Sequence, residues 1–363
     1  MKKLLLLLLA LFVLGVFFTT MAAPALAGPK VLKYASPYGV SNPLGTTTKW
    51  FGKELEKRTN GRYKVDYYWS GAMGKAPDLP TLCAEGVVDL IWTGLGYTPA
   101  IFRLSRVVEL MYISENPYAQ GAALWDMYHN YAPVRQEWEK CGLILGYPVY
   151  PGNMAVQTKA PVNAVADVKG LKARAYPAVA GMIQRMGGIP VSMSYGEVYD
   201  ALNRGMIKGA FGIPFVNIYG SRFWEVARYT VNTGVGGYGM AVLGVSKKTY
   251  EGFPPDVKKI FDQLRDDANA EHRRWMGSFD REVIRKIVKE KFTDLIDWSP
   301  EEKAKARNLL VPFVWEAWLE EMKKANAPGD ECLNTFRRLI KKYEAQYPYE
   351  SPYDYYRSLK KGQ

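Results

Sequence analysis

Cysteine and histidine are scarce: the chain of 363 residues has three cysteines and two histidines. Cys83, Cys141 and Cys332 are too few and too widely spaced for a zinc ribbon or a CxxC redox pair. The two histidines form no HxxxH pair, and the sequence GxSxG is absent. These absences disfavour metal-dependent and serine-nucleophile enzymes, while a hydrolase or lyase assembled from distant residues stays open.

The odd number of cysteines leaves at least one thiol unpaired within a monomer. Cys83 lies at an apolar helix position and is predicted to be a small core residue, with a Cys83–Cys141 bridge as the alternative. His272 falls within a long charged helix, where we expect a solvated position.

Long apolar runs are missing from all but the start of the chain. Lys2-Lys3, the run from Leu4 to Phe18 and the small residues up to Ala27 are typical of a secretory signal peptide. We expect residues 1–27 to be removed and the mature protein to be periplasmic, with an uncleaved membrane anchor as the alternative. Residues 28–363 are long enough for two domains.

Charge of both signs is present, with a net charge of +12. Lysines and arginines alternate with acids along predicted helices, which is typical of a solubilising surface that also attracts anions. Export and the lack of a basic cluster disfavour nucleic acid as a partner.

Strand and helix patterns alternate in the early part of the mature chain. Strand-like segments at 31–35, 63–69 and 88–92 enclose helices that begin near residues 42 and 78. Gly86 and Gly205 each separate a predicted helix from a strand, as expected of a glycine that ends a helix in the left-handed conformation. Two such α/β lobes facing each other would form a cleft.

Long helices are predicted further along, from Pro254 to about Lys291, at 301–326 and at 330–346, followed by an extended tail. Ser194 and Glu197 have the spacing of a capping box, with a ligand or hinge contact as the alternative for Glu197. Residues 234–239 satisfy GxGxxG, but no helix follows, so a hinge strand passing close to neighbouring backbone is favoured over a dinucleotide site.

Two segments, Gly170-Leu-Lys-Ala-Arg-Ala175 and Glu197-Val-Tyr-Asp-Ala-Leu202, together resemble the substrate-binding proteins of TRAP transporters, the tripartite ATP-independent periplasmic family. The resemblance implies an α/β, bilobed, periplasmic-binding-protein-like (type II) fold, with two mixed-sheet lobes joined by hinge strands and a long bridging helix. It also implies a receptor that needs no cofactor, is not an enzyme, and passes an organic acid to small and large membrane subunits. A solute-binding protein of an ABC importer is the alternative.

On this basis, lobe one takes residues 28–151 and about 238–270. Lobe two takes residues 152–237 and about 271–345, and residues 346–363 form a C-terminal tail.

Arg174 is the leading candidate for a ligand contact. Its planar guanidinium fork matches both oxygens of a carboxylate and stays charged in a partly dry cleft, whereas a surface ion pair is the alternative. The resemblance places it at the arginine with which the TRAP receptors grip their ligand's carboxylate. Tyr195 matches the aromatic residue ahead of the family's Glu-Val-Tyr segment, with core packing as the alternative. Asn217 follows the next turn, where it can form hydrogen bonds with a ligand, and a local cap is the alternative.

Two departures from the family's pattern bear on the ligand. Where many relatives carry Gln-Glu-Asn-Pro, this chain has Ala210-Phe-Gly-Ile213, so Phe211 offers an apolar wall beside Gly212. Near Met154, where some relatives have a second arginine, the chain has none. Because burying an unpaired carboxylate is costly, one clear cation favours a monocarboxylate with a hydrophobic or aromatic body. The other predicted cleft residues, with core packing as the alternative for each aromatic, are Asn153, Met154, Trp69, Trp92, Tyr97 and Tyr238.

Overall fold

The computed structural model describes residues 28–237 and 239–361, so the predicted signal peptide and Tyr238 lie outside the described residues. The strands are β1 Lys30–Ala35, β2 Tyr63–Tyr68, β3 Leu90–Gly94, β4 Leu143–Val149, β5 Met154–Thr158, β6 Lys172–Ala175, β7 Ile189–Ser192, β8 Gly209–Pro214, β9 Tyr229–Asn232, β10 Ala241–Ser246 and β11 Asp294–Asp297. The α-helices are α1 Thr46–Arg58, α2 Leu79–Glu85, α3 Pro117–Asn130, α4 Ala132–Lys140, α5 Pro177–Arg185, α6 Val198–Asn203, α7 Asn217–Ser221, α8 Lys247–Glu251, α9 Pro255–Glu290, α10 Pro300–Lys324, α11 Gly329–Gln346 and α12 Pro352–Lys361.

Two mixed sheets form the two lobes. The sheet of lobe one has the order β2-β1-β3-β10-β4, and the sheet of lobe two has the order β11-β9-β5-β8-β6-β7. In lobe one β10 runs antiparallel to both neighbours, and in lobe two β5 does the same. Each of these strands is the first to enter its sheet after the chain has crossed from the other lobe. The bilobed, mixed-sheet fold implied by the sequence is confirmed.

The crossing segments are short. Residues 150–153 connect β4 to β5, and residues 233–240 connect β9 to β10. The second segment contains the glycine-rich sequence, and Gly234, Gly236 and Gly239 all have positive φ. No helix follows it, in agreement with the predicted hinge.

The bridging helix α9 crosses both lobes. Its 36 residues would extend about 54 Å at 1.5 Å per residue. Val257, Phe261 and Leu264 pack in the lobe-one core, whereas Val283 and Ile284 near its other end pack in lobe two. Among the described residues, no helix is both long enough and apolar enough to cross a membrane.

His272 on α9 is fully buried, so the expectation of a solvated position is wrong. Its Nδ1 lies 3.0 Å from the Thr47 hydroxyl of α1, and its Nε2 lies 2.9 Å from the Tyr150 carbonyl in the first crossing segment. A carbonyl only accepts hydrogen bonds, so Nε2 carries the proton and Nδ1 accepts from Thr47. Burial lowers the pKa of His272 to about 4, and the neutral ring therefore ties α9 to both α1 and the hinge.

The expected boundaries of the C-terminal part need two corrections. Helix α11 was assigned to lobe two, but it packs along α3 of lobe one, where Cys332 and Phe336 are buried in the core. The expected extended tail instead contains helix α12, whose Tyr353 packs 5.4 Å from the Phe215 ring of lobe two. Both helices carry one apolar stripe, which the surface of the respective lobe covers. Cys83 is buried as expected, and all three cysteines are free thiols.

Candidate functional site

A small cavity lies between the lobes and contains most of the predicted cleft residues. Its volume is about 30 Å³, far below the roughly 300–1,000 Å³ of typical ligand pockets. A larger ligand therefore requires the lobes or the lining side chains to separate. The predicted residues that line the cavity are Trp92, Tyr97, Met154, Arg174, Tyr195 and Gly212.

Arg174 lies at the end of β6 and is 1% exposed. Its Nη1 donates to the carbonyl oxygens of Phe211 and Gly212, at 3.1 and 3.4 Å, and its Nε donates to the Met193 carbonyl at 3.3 Å. Its Nη2 donates across the cleft to the Tyr97 hydroxyl at 3.2 Å. None of the ion pairs in the described part of the chain includes Arg174, and the hydrogen bonds of this buried cation go to carbonyl and hydroxyl oxygens.

Aromatic rings from both lobes meet around the guanidinium. Tyr38 of lobe one packs edge-on against Tyr195 of lobe two, with ring centres 5.2 Å apart. Tyr97 of lobe one stacks on Tyr176 of lobe two at 5.6 Å. The guanidinium carbon lies 5.2 Å from the Tyr176 ring centre, within the range of a cation–π contact. Aromatic rings therefore make up much of the cavity lining around the Arg174 guanidinium.

The position of Gly212 in the cavity wall requires glycine. Its φ is +71°, and a Cβ would lie 2.7 Å from the Tyr176 ring. Glycine adopts this left-handed conformation without steric cost, which lets the carbonyl of residue 212 face Arg174 while Tyr176 lies alongside.

Glu109 is an acid in the cavity wall that the sequence analysis missed. Its Oε1 accepts a hydrogen bond from the Gly96 amide at 3.0 Å, and its Oε2 lies 3.9 Å from Nε of Arg106. Burial raises the pKa of Glu109 to about 7, although Arg106 and the Gly96 amide oppose this shift. A lone carboxylate within the apolar run 107–113 was the signal that could have drawn attention to it.

Tyr176 and Tyr38 also line the cavity and were missed. Tyr176 follows Arg174 by two positions, and residues two apart share one face of a strand, so the spacing could have indicated it. Tyr38 lies in the loop between β1 and α1, for which no periodicity gives a direction.

Four predicted residues lie away from the cavity. The Phe211 ring packs in the lobe-two core and does not line this cavity, although its carbonyl accepts a hydrogen bond from Arg174. Trp69 stacks on Tyr67 with ring centres 5.5 Å apart and belongs to the lobe-one core. Asn153 lies in the first crossing segment, where its carbonyl accepts from the Phe215 amide.

Asn217, the fourth, is fully buried at the start of α7. It lies beside the hydroxyl of Tyr195, which forms a 2.7 Å hydrogen bond with Ser221. Both polar atoms of the Asn217 amide lack a hydrogen-bond partner among the described residues, and its contact with a ligand stays a prediction. The Ser194–Glu197 pair forms the predicted local contact, since the amide and hydroxyl of Ser194 both donate to the Glu197 carboxylate at 2.8 and 2.6 Å.

The fold and the cleft define a bilobed solute-binding protein. Residues 35–321 match the family described as bacterial extracellular solute-binding protein, family 7 (DctP). The chain therefore belongs to this family, the TRAP solute receptors, as the two sequence segments indicated.

Three similar proteins illustrate the sequence identity and the structural similarity between this chain and its relatives. The protein YiiZ of Salmonella typhimurium is 28% identical over 202 residues, covering 52% of this chain and 58% of that protein. The match thus spans little more than half the length of that curated relative. A TRAP solute-binding protein of Rhodoferax ferrireducens in complex with copurified benzoate is 27% identical, with a TM-score of 0.78 over 87% of this chain and 98% of that one.

The third is a TRAP solute-binding protein from an unidentified marine microbe, in complex with 3-hydroxybenzoate. It is 23% identical, with a TM-score of 0.79 over 88% of this chain and 100% of that one, and this likeness shows the fold alone. Chains of the same fold at a TM-score of 0.74 hold β-D-galacturonate or succinate. The shared fold therefore does not by itself select one organic acid.

Proposed function

We propose that this protein is the periplasmic receptor of a TRAP transporter and that it binds a monocarboxylate with a hydrophobic or aromatic body. The observation that carries the proposal is the buried Arg174, which lacks an acidic partner among the described residues. Hydrogen bonds to three carbonyls and one hydroxyl compensate its burial in part, but no acidic side chain among the described residues does so. A ligand carboxylate supplies the opposite charge, and the guanidinium fork fits its two oxygens.

The shape and lining of the cleft support a flat, apolar ligand body. Tyr38, Trp92, Tyr97, Tyr176 and Tyr195 present rings from both lobes. Rings of this kind pack well on an aromatic or branched skeleton, offset or edge to face. Because the cavity holds only about 30 Å³ in this arrangement, the lobes must open to admit such a ligand and then close on it.

The number of cations in the cleft argues against a dicarboxylate. Among the described residues that line the cavity, Arg174 is the sole arginine or lysine, and Glu109 is an acid. A second carboxylate would be buried without a cationic partner. We further propose export through the predicted signal peptide and delivery of the ligand to small and large membrane subunits.

The test is to identify the ligand that the purified mature protein retains, by mass spectrometry after denaturation. Thermal unfolding with added benzoate, a branched aliphatic acid, succinate and galacturonate complements it, because a ligand that binds only the native state raises stability. We expect an aromatic or branched monocarboxylate, released unchanged. Recovery of a dicarboxylate would contradict the proposed ligand, and recovery of a chemically converted product would contradict a receptor.

A further inference from the structure

We propose that Glu109 determines which substituent is accepted at the end of the ligand away from its carboxylate. It favours a monocarboxylate whose body carries a hydroxyl group and disfavours a ligand that carries a second carboxylate. The inference rests on the proposed binding of a carboxylate by Arg174 and names the second polar group of the same ligand. It starts from two residues of lobe one that line the cavity, each with a buried polar atom that has no hydrogen-bond partner among the described residues.

The first of these atoms is Oε2 of Glu109. The side chain is 5% exposed, and this oxygen has no hydrogen bond among the described residues. Nε of Arg106 lies 3.9 Å from this oxygen, close enough for an ion pair but not for a hydrogen bond, and it also has no hydrogen-bond partner among the described residues. Nη1 of the same arginine donates to both oxygens of Glu321, at 3.1 and 3.0 Å. A buried carboxylate oxygen without a partner is costly, so a ligand donor at this position is favourable.

The second atom is Nε1 of Trp92, which is also buried without a hydrogen-bond partner in the part of the chain that the structure describes. An indole N–H only donates, whereas a carboxylate only accepts. A hydroxyl group does both, so it suits either atom. A methyl group satisfies neither, and a carboxylate suits Trp92 but opposes Glu109.

Backbone geometry brings Glu109 to the cavity. A Cβ at Gly96 would lie 2.7 Å from Oε2 of Glu109 and 3.1 Å from the ring of Tyr176. Any other residue at position 96 would therefore push the carboxyl group or the ring aside. The absence of a side chain lets Glu109 and Tyr176 approach from opposite lobes, and the Arg174 guanidinium lies 5.2 Å from the centre of the same Tyr176 ring.

The two walls of the cavity thus carry charged groups of opposite sign. Lobe two supplies the cation, and lobe one supplies the acid. A carboxylate on Arg174 leaves the remainder of the ligand facing lobe one, where a second carboxylate meets a group of like charge. Like charges in a partly dry site repel strongly because screening is weak there.

Three benzene acids test the inference with wild-type protein freed of retained ligand. They are benzoate, 3-hydroxybenzoate and benzene-1,3-dicarboxylate, and calorimetric titration at pH 8 keeps Glu109 largely ionised. We expect 3-hydroxybenzoate to bind about tenfold tighter than benzoate, and the dicarboxylate about tenfold more weakly than benzoate. In Glu109→Gln, the affinity for 3-hydroxybenzoate divided by the affinity for the dicarboxylate should fall by about tenfold or more.

Glu321→Gln is the matched control. It removes the same charge from the other partner of Arg106, outside the cavity, so it should leave the ratio as in the wild type. Thermal unfolding checks that both variants fold. In Glu109→Gln the new amide oxygen can still accept the hydrogen bond from Gly96, so the backbone contact is kept while the charge is removed.

The outcomes separate this inference from the proposed function. If benzoate binds but Glu109→Gln leaves the ratio of the affinities for 3-hydroxybenzoate and the dicarboxylate unchanged, the role of Glu109 is overturned and the proposed function is not. A ratio that falls equally in Glu321→Gln also overturns it, since a long-range charge effect would then suffice. Failure of all three acids to bind the wild type overturns the proposed aromatic ligand and this inference together.

Discussion

The two lobes contribute different chemistry to one cleft. Lobe two supplies Arg174 from the end of β6 and the two carbonyls from β8 that hold it. Lobe one supplies rings and a carboxyl group from loops and short 3₁₀ turns, including Tyr38, Tyr97 and Glu109. Lobe two holds a charge on a rigid sheet, whereas lobe one covers it with side chains on irregular backbone.

This difference indicates a division of labour. A group fixed by sheet backbone keeps its position when the lobes separate, so lobe two is suited to the first contact with an anion. Groups on loops change more readily between related proteins, so lobe one is suited to discrimination between ligand bodies. If that division holds, substitutions in lobe two should affect all carboxylates alike, and substitutions in lobe one should change their ranking.

The largest expected effect is on the lobe-two anchor. Arg174→Lys replaces the planar fork by a shorter point charge, so at least one of two charge-assisted hydrogen bonds to a carboxylate is lost. We expect affinity for every bound acid to fall on the order of 100-fold, about 3 kcal/mol, as measured by calorimetric titration.

Arg204→Lys is the control for that change, because Arg204 is exposed at the end of α6 on the same lobe. Circular dichroism checks that both variants are folded. Wild-type affinity in Arg174→Lys would contradict the assignment of the anchor.

A smaller effect, on the pH dependence of stability, is expected from His272, which joins α9 to the hinge between the two lobes. The pKa of His272 is lowered from 6.5 to about 4 in the folded protein, so between these values the unfolded chain binds more protons. The contribution of the neutral His272 ring to the free energy of unfolding is therefore fully present above pH 6.5 and is lost as the pH falls towards 4. Between pH 6.5 and 5 the wild type should lose roughly 1.5 kcal/mol relative to His272→Gln, as measured by urea unfolding.

His129→Gln at the end of α3 provides the comparison: burial also lowers the pKa of His129, but less than that of His272, so this variant should change the pH dependence less. The absolute stability of His272→Gln is expected to be lower, because its contacts with Thr47 and Tyr150 change, so only the pH dependence is diagnostic. Parallel pH profiles of wild type and His272→Gln would show that the ring titrates normally.

The smallest effect is expected for the contact that joins the lobes. Tyr97→Phe keeps the ring stacked on Tyr176 but removes the hydroxyl that accepts from Arg174 at 3.2 Å. Loss of one hydrogen bond to a charged group in the closed cleft should weaken binding by about 5-fold, or about 1 kcal/mol. Tyr199→Phe on lobe two, whose hydroxyl donates to Glu225 away from the cleft, should have no effect on affinity. Tighter binding by Tyr97→Phe would mean that this hydroxyl competes with the ligand for Arg174.

Local sequence was enough to predict several parts of the molecule. Strands β1 and β2, the cap at Gly86, the long helix α9 and the short contact between Ser194 and Glu197 depend on neighbours in the chain, and all were predicted within a few residues. Arg174 was identified because its sequence context resembles a known family. In both cases the deciding interactions lie within one segment.

Other features depended on which distant surfaces meet. Phe211 and Trp69 were expected in the cleft, but strand alternation alone does not say which face of a sheet the other lobe covers. Glu109 and Tyr38 reach the cavity through irregular loops, and α11 lies on lobe one because its apolar stripe finds α3 there.

The sequence by itself determined the alternating α/β elements, the bridging helix and the family, since hydrophobic periodicity and short motifs act locally. Tertiary structure alone decided that a cation from one lobe and an acid from the other share one cavity. The reason is physical: the burial that leaves Arg174 without an acidic partner among the described residues and raises the pKa of Glu109 exists only when both lobes exclude water from the same space.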